Sequence, residues 1–218
     1  MPDISKQLSK YLPAEATPII GRWIVDTGCR FKISKSRVTK IGDYRAPYKG
    51  ETHQITVNHE LNEFAFLITT VHEFAHLKTW QEYRGKVRPH GEEWKKNFKF
   101  LMKPFFKLNI FPEPVLMALI RYMDNPAASS CTDIHLYRTL RQYDLKTVHS
   151  ETIESIANHS FFKIKNGRTF QKLEKLRKRY KCKELPSGKL YLFSPIAEVI
   201  PLCADDVIKN YQHILTNH

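Results

Sequence analysis

The chain has 218 residues, of which 42% are hydrophobic and 26% charged, and its net charge is +13 at pH 7. This composition excludes a disordered or fibrous protein, and the length allows one substantial domain or a main domain with a small appendage. The longest apolar runs, FAFLITTV and PVLMALI, are too short to cross a bilayer, and the N-terminus lacks a secretory signal pattern. We therefore expect a soluble, cytoplasmic protein with no membrane partner, for which association with the nucleoid is compatible with the sequence.

Basic residues outnumber acidic ones by 35 to 22. A surplus of this size favours a polyanionic partner, and DNA is the usual one, although a basic but unspecialised surface is the alternative. The four cysteines lie far apart and form no CxxC pair: Cys29, Cys131, Cys182 and Cys203. This spacing argues against a disulfide scaffold and against a zinc site made of cysteines alone.

Hydrophobic periodicity divides the N-terminal part into helices and short strands. In chain order, the pattern predicts one or two helices over 3–27, strands over 30–34, 37–45 and 53–58, and helices over 60–84, 91–102 and 112–124. Gly85 is a natural stop for the helix over 60–84, whose apolar residues repeat along one face. The order of these elements predicts a small sheet packed on that helix.

The C-terminal part differs in pattern. Residues 125–130 are small and polar with a proline, which is typical of a linker, and a short helix is predicted over 132–144. The runs 160–167, 179–194 and 197–202 are β-like, and Pro186-Ser187-Gly188 is a plausible hairpin turn. We predict an α+β fold with a first domain over 1–124, and a helical linker with a small, basic, β-rich module over 125–218.

The run TTVHEFAHLKTW, residues 69–80, contains an HExxH motif. On a helix, His72 and His76 point the same way and can bind one ion, whereas Glu73 is rotated away by about 100° and can reach a water. His90, in the corner before the next helix, supplies a third imidazole and leaves an open position. The alternative is a pair of partly buried histidines beside a solvated Glu73. The helical phase, the preceding strand and the third histidine together favour the metal site.

The segment VHEFAHLKTWQEYRGKVRPHGEEWKKNF resembles the SprT-like zinc metalloprotease family, which is related to the DNA–protein crosslink protease Spartan. The resemblance includes the HExxH helix, the later His90-Gly91 pair and Trp94, and it covers roughly residues 20–105. It implies a zincin-like (minigluzincin) core with one catalytic Zn²⁺, ligands His72, His76 and His90, and Glu73 as catalytic base. Many bacterial members end in a zinc ribbon with paired cysteines, which this chain lacks, so a second zinc is not expected.

These features predict a zinc-dependent metallopeptidase that cleaves peptide bonds with a metal-activated water and a glutamate general base. Its substrate would be a protein or peptide, and the resemblance implies DNA-associated proteins. The strand over 53–58 could offer an edge to an extended substrate. Tyr83 and His59 are candidates for oxyanion stabilisation, although ordinary packing or surface roles are more in keeping with such residues.

Two basic clusters are candidates for nucleic-acid binding. The first comprises Lys95, Lys96 and Lys99, with Lys103 one turn further on, and the second comprises Lys172, Lys175, Arg177, Lys178, Arg179 and Lys181. Four aromatics interleave with the second cluster or precede it: Phe161, Phe162, Phe170 and Tyr180. Such a pattern can track phosphates and stack bases, or it can be a solvated basic face over an aromatic core, and the sequence favours neither.

Two other functions compete with the peptidase. One is a non-enzymatic DNA-binding or transcription-associated protein that keeps the zinc fold as a scaffold; the intact Glu73 argues against it, because a structural site needs no general base. The other is a zinc hydrolase with a non-protein substrate, since a fold does not determine a reaction.

Overall fold

The computed structural model describes residues 4–35, 40–126, 133–144, 151–205 and 207. The chain divides into two compact units, Met1–Leu145 and Lys146–His218. The first unit contains α1 (Ile4–Leu8), α2 (Thr17–Thr27), β1 (Arg30–Ser34), β2 (Gly42–Arg45), β3 (Gln54–Asn58), α3 (Glu63–Tyr83), α4 (Glu92–Lys107), α5 (Glu113–Asp124) and α6 (Ile134–Arg141). The second contains β4 (Glu151–Thr152), β5 (Phe161–Lys163), β6 (Thr169–Lys175), β7 (Tyr180–Glu184), β8 (Leu190–Phe193) and β9 (Glu198–Leu202).

The predicted α+β class is confirmed, and the predicted helices lie within a few residues of the observed ones. The strand predicted over 37–45 is observed at Gly42–Arg45, and residues 36–39 lie outside the described part of the chain. Helix α4 continues past its predicted end at 102 to Lys107. Among the described residues, none of the helices has the length and hydropathy of a membrane span.

The division between the units lies after Leu145, whereas the sequence predicts a boundary after Asp124. Helix α6 belongs to the first unit because its end is tied to the start of α3: Asn62 Nδ2 donates to Leu140 O at 2.9 Å and to Asp144 Oδ1 at 2.7 Å. Leu136 and Leu140 are also buried in the core of that unit. Of the predicted linker over 125–130, residues 127–130 lie outside the described residues.

The sheet of the first unit has the strand order β1-β3-β2, in which β3 is parallel to β1 and antiparallel to β2. Ile55 and Val57 of β3 are completely buried. Because β3 is the central strand, both of its hydrogen-bonding edges are occupied. The expectation that β3 offers an edge to a substrate is therefore wrong; β2 is the edge strand on that side.

Helix α3 is the centre of the first unit. The Asn62 side chain caps its N-terminus by accepting a hydrogen bond from Ala65 N at 2.9 Å. Thirteen of its 21 residues are buried, around its whole circumference and not only along one face, because β2 and β3 contact one side and α4 another. Its end is marked by left-handed backbone at Arg84 (φ 51°) and Gly85 (φ 77°), which lets the chain reverse into α4.

Helix α4 packs against α3 through a buried apolar stripe and one polar contact. Trp94, Phe98 and Met102 have no exposed surface and follow helical spacing. Asn97 Nδ2 donates to Thr79 Oγ1 at 3.0 Å and to Glu82 Oε2 at 2.7 Å. These contacts hold the two helices in a fixed register, so the turn between them has a defined position relative to α3.

Candidate metal centre

The three histidines predicted from the sequence meet at one point. His72 and His76 lie one turn apart on α3, and His90 reaches them from the turn before α4. Their Nε2 atoms are 3.1 Å apart for His72–His90, 3.2 Å for His72–His76 and 2.9 Å for His76–His90. Tetrahedral zinc ligands at about 2.0–2.1 Å stand roughly 3.3–3.4 Å from one another, so this triangle is close to the size that one ion requires.

His90 takes its position through an unusual backbone conformation. Its φ is 59°, in the left-handed region that a residue with a side chain seldom adopts and that costs about 1–2 kcal/mol. The turn is closed by Gly91 N, which donates to Arg88 O at 3.0 Å. Because α3 and α4 fix both ends of the turn, the strain is retained, and strain of this kind is commonly found at functional sites.

Burial keeps the three imidazoles neutral. Loss of solvent lowers the pKa of His72 to about 2 and that of His76 to about 3, with neighbouring histidines adding to the effect, and burial also lowers the pKa of His90. The neutral imidazole is the form that binds a metal. Three nitrogen atoms that face one another cannot all be satisfied by their own protons, whereas a divalent ion between them satisfies all three. The donor set therefore fits a transition-metal ion such as zinc.

Within the described residues, these histidines are the one group of three or more potential metal ligands that lie close enough to hold an ion together. Cys182 is buried in β7 and Cys203 is exposed. Among the described residues, the three histidines of the first unit are therefore the candidate metal centre.

Trp94 forms the floor of this centre. Its ring centroid lies 4.6 Å from that of His72, 5.4 Å from His76 and 4.7 Å from His90, and it stacks on Phe98 at 5.1 Å. The indole is completely buried. A single side chain thus packs against all three candidate ligands and restricts the orientation of their rings.

We expect Trp94→Ala to lower the free energy of unfolding by about 3–5 kcal/mol, because it leaves a large cavity beneath the histidines. Urea unfolding of the full chain measures this change. Phe100→Ala, on the same helix but 57% exposed, is the matched control and should change stability by no more than about 0.5 kcal/mol. Equal losses in the two variants would contradict the role given to Trp94.

Glu73 follows His72 in the chain but lies beside the edge strand β2. Its side chain is buried, with 6% of the residue exposed, so the alternative of a solvated surface glutamate is excluded. Gly42 of β2 lies against it: a Cβ added there would overlap Glu73 Oε1 and come within 2.7 Å of Thr69 Cγ2. The missing side chain at Gly42 therefore creates the space that the Glu73 carboxylate occupies.

Tyr44 also faces the centre, since it lies two residues after Gly42 on the same side of β2. Its ring is nearly parallel to that of His76, with an interplanar angle of 8° and centroids 6.2 Å apart. A 2.8 Å hydrogen bond joins its hydroxyl to Nδ1 of His53, whose ring meets Trp80 edge to face at 4.9 Å. Burial raises the pKa of Tyr44 and, with a smaller effect from Arg84, lowers that of His53.

Sequence reasoning did not find Gly42, Tyr44 or His53; the available signal was the two-residue spacing in GDY together with a strand before the HExxH helix. The two residues considered for oxyanion stabilisation lie elsewhere. Tyr83 is 36% exposed at the end of α3, and His59 is an exposed residue 4.0 Å from Glu60.

The first basic cluster lines a cleft of about 590 Å³ on α3 and α4. Lys95, Lys96 and Lys99 are joined there by Lys78 and Lys103, and the exposed ring of Phe100 forms part of the wall. Two acidic residues also line the cleft: Lys95 pairs with Glu92 at 2.7 Å, and Lys78 pairs with Glu82 at 2.7 Å. The cleft is thus basic on balance and has one exposed aromatic surface.

Only some residues of the second basic cluster are exposed to solvent. Lys175, Arg177, Lys178 and Arg179 are exposed around the turn between β6 and β7, and Lys181 pairs with Glu174 at 3.0 Å. Lys172 is 3% exposed, and its ammonium donates to Ile156 O at 2.6 Å. The prediction of a nucleic-acid contact by Lys172 is therefore wrong, because its charge is enclosed by the protein.

The aromatics of that region form a core. Phe162 and Phe170 are completely buried and stack with centroids 5.6 Å apart, and Tyr180 is 8% exposed. These three rings cannot stack on bases without unfolding the module. Phe161 lies on the other face of the sheet and is half-buried. Of the two interpretations of the interleaved aromatics, the structure supports the aromatic core.

Comparisons with known proteins point to one family for the segment that contains the site. Residues 21–112 match the model of the SprT-like family, a range that contains all three histidines and Glu73. Protein SprT of Shigella dysenteriae serotype 1 (strain Sd197) is 38% identical over 72 residues, which are 31% of this chain and 43% of that protein. The chain thus matches less than half the length of this relative, and no solved structure matches it. The segment 21–112 is therefore similar to the SprT-like family.

Proposed function

We propose that the chain is a zinc-dependent metallopeptidase with a zincin-like (minigluzincin) core and acts on proteins associated with DNA. The observation that carries the proposal is a triangle of three Nε2 atoms, 2.9–3.2 Å on a side, with a buried glutamate next in the chain to one of its histidines. A site that only stabilised the fold would need the histidines but no carboxylate. The match of residues 21–112 to the SprT-like family supports the same reaction class.

Zinc held by the three imidazoles would supply a Lewis acid for the scissile carbonyl and lower the pKa of water to near 7. Glu73 would accept a proton from the attacking water as the new C–O bond forms. It would then return that proton to the leaving amine as the C–N bond breaks, so that one water is consumed for each peptide bond. The buried position of Glu73 beside Gly42 keeps the carboxylate on one side of the site.

The edge strand β2 is the element best placed to hold a substrate. In the described part of the chain β2 pairs with β3 alone, so its other edge can pair with an extended peptide. Gly42 and Tyr44 belong to this strand and border Glu73 and His76, respectively. Main-chain pairing would therefore bring the peptide next to the candidate metal centre without selecting a particular sequence.

Gly42→Ala tests the spacing between β2 and Glu73. We expect the rate of peptide cleavage to fall about 10–100-fold, because the added methyl group displaces the carboxylate and small misplacements at a reacting centre are costly. Metal binding should persist, since the histidines are unchanged. Arg45→Ala, an exposed change on the same strand, should leave the rate near that of the unmodified chain. A Gly42→Ala variant that cleaves at the normal rate would contradict this arrangement.

Association with DNA is supported by charge. The chain carries +13, and two basic surfaces are exposed: the cleft on α3 and α4, and the turn between β6 and β7. Lysine and arginine contacts to phosphates release counterions, so such binding weakens steeply as salt rises. Binding to a DNA duplex that did not change between about 50 and 200 mM salt would exclude phosphate contacts as its basis.

A cleavage assay distinguishes the proposed function from its competitors. The full chain is stripped with a chelator and reloaded with zinc, and then incubated with casein or with a DNA-binding protein such as a histone, each with and without DNA. We expect cleavage of both proteins only with metal, and faster cleavage of the histone when DNA is present. DNA binding without any cleavage would indicate a scaffold, and metal-dependent hydrolysis of esters but not proteins would indicate a different hydrolase. If DNA did not affect the rate of cleavage, the proposed peptidase activity would stand, but the proposal that its substrates are associated with DNA would be rejected.

A further inference from the structure

The second unit presents a sheet face that its own core does not use. The sheet has the strand order β4-β9-β5-β6-β7-β8. Phe162, Phe170 and Cys182 point to one side and form the core. Alternate residues point to the other side, which we call the outer face. On it, register places Leu202, Phe161, Gln171, Lys183 and Leu190 in one row across five strands.

The outer face is more apolar than a solvated sheet face normally is. Leu190 is 57% exposed, Leu192 53% and Ile200 47%. Antiparallel sheets with one wet face usually carry polar residues there. Exposed apolar residues that form a contiguous patch commonly mark a binding surface. Leu190 and Leu192, two residues apart on β8, form such a patch and point to a partner that covers this end of the face, whereas Ile200 lies on β9, four strands away.

Lysines lie directly beside these apolar residues. Lys181 is opposite Leu192, Lys183 is opposite Leu190, and Lys163 is opposite Ile200. Side chains at directly opposed positions share a face and are neighbours. Lys181 pairs with Glu174, whereas Lys163 and Lys183 form no ion pair with the described residues. The patch thus combines aliphatic surface with positive charge.

The outer face also ends in an available edge. Strand β8, which carries Leu190 and Leu192, is at one end of the strand order and in the described residues pairs only with β7. An edge strand presents backbone N–H and C=O groups to which another strand can add. In a strand added there, every second side chain would lie on the outer face, next to Leu190 and Leu192. The lysines of β7 would be one strand further away.

We propose that the outer face binds an extended segment of a partner protein, added as a strand to the edge of β8, in which every second residue lies on the outer face and these outer positions carry both acidic and aliphatic side chains. Its aliphatic residues would cover the exposed leucines, and its carboxylates would lie close to Lys181 and Lys183. This binding function is independent of the candidate metal centre and goes beyond peptide cleavage.

Other occupants fit less well. A nucleic acid stacks its bases on exposed aromatic rings, but the exposed apolar residues here are aliphatic and Phe162 and Phe170 are internal. A second copy of the chain would bring lysines against lysines. The chain's own residues 208–218, IKNYQHILTNH, contain no acidic residue to pair with them.

The test measures binding of a fluorescein-labelled peptide, Glu-Thr-Val-Thr-Asp-Thr-Leu-Thr-Glu, whose acidic and aliphatic residues share one face of a strand, to the full chain carrying Glu73→Gln, so that cleavage does not interfere. We expect Leu190→Ser and Lys183→Glu each to raise the Kd about 10-fold or more, the change typical of a central contact. Leu176→Ser and Lys178→Glu, at exposed positions of the β6–β7 turn, are the matched controls and should change the Kd less than about 2-fold. Thermal melting checks that every variant is folded.

Three results would overturn the proposal. The first is a labelled peptide with lysine in place of every acidic residue that binds as tightly as the acidic one. The second is a dT20 oligonucleotide that binds in its place and is weakened by Leu190→Ser and Lys183→Glu, which would make the face a nucleic-acid surface. The third is self-association in sedimentation that Leu190→Ser removes. None of these outcomes bears on metal-dependent cleavage, so failure here is distinct from failure of the proposed function.

Discussion

The Glu73→Gln variant is expected to lose about 10²–10⁴-fold in kcat for peptide cleavage while it retains its metal. Glutamine has nearly the same shape as glutamate but cannot accept the proton of the attacking water. Because Glu73 is not one of the three candidate nitrogen ligands, the triangle of histidines is unchanged. Single-turnover cleavage of casein, with metal content measured on the same sample, separates loss of chemistry from loss of the ion.

Glu63→Gln is the matched control for this change. Glu63 lies exposed in the first turn of the same helix, well away from the histidines. Its replacement alters charge to the same extent but should leave kcat within about 2-fold of normal, as for a surface change remote from the site. Cleavage by Glu73→Gln at the rate of the unmodified chain would show that the proposed base is wrong.

The His90→Ala variant is expected to bind zinc more than about 100-fold more weakly than the unmodified chain. Loss even of a residue that only orients a metal ligand typically costs 10–100-fold in affinity, and His90 is one of three candidate ligands. The two histidines left on α3 make a poor site on their own. Competition with a chromophoric chelator measures the affinity, and circular dichroism shows whether the helices persist.

His59→Ala is the control for His90→Ala, because His59 is an exposed histidine outside the triangle. It should bind zinc as tightly as the unmodified chain. If His59→Ala lost affinity to the same extent as His90→Ala, or if His90→Ala bound zinc normally, the three-histidine site would have to be abandoned.

The group of three histidines that could hold a metal ion could be predicted from the sequence because its arrangement is mostly local. His72 and His76 are one helical turn apart, and a helix over these residues follows from their apolar neighbours. His90 required one further step, a short reversal marked by Gly85, which the structure has with a φ of 77°. The unusual backbone of His90 was not predictable, since it results from the packing of α4 on α3.

The surroundings of the site could not be predicted, because they depend on contacts between distant parts of the chain. Whether β2 or β3 forms the edge of the sheet is a matter of strand order, which the hydrophobic pattern of each strand does not specify. The contact between Gly42 and Glu73 depends on how the sheet packs on α3. A short strand such as β2, with four residues, carries too weak a pattern to predict such a contact.

In the second unit, too, features set by neighbouring residues could be predicted, whereas features set by contacts between distant residues could not. The turn before β8 was predicted from Pro186-Ser187-Gly188, and Gly188 has a φ of 67° there. Lys172 belongs to a run of basic residues that suggests a surface, yet its position on β6 faces the core. Which face of a strand is buried depends on its register with neighbouring strands, so the basic run alone could not distinguish Lys172 from Lys175.

The most direct test of the account is anomalous diffraction at the zinc edge from crystals of the full chain grown with one equivalent of zinc. We predict one strong peak within about 2.0–2.1 Å of the Nε2 atoms of His72, His76 and His90. Crystals of the His90→Ala variant should show no peak at this position. A peak bound by other residues, or a strong peak that persists in His90→Ala crystals, would contradict the central claim that these three histidines form the metal centre.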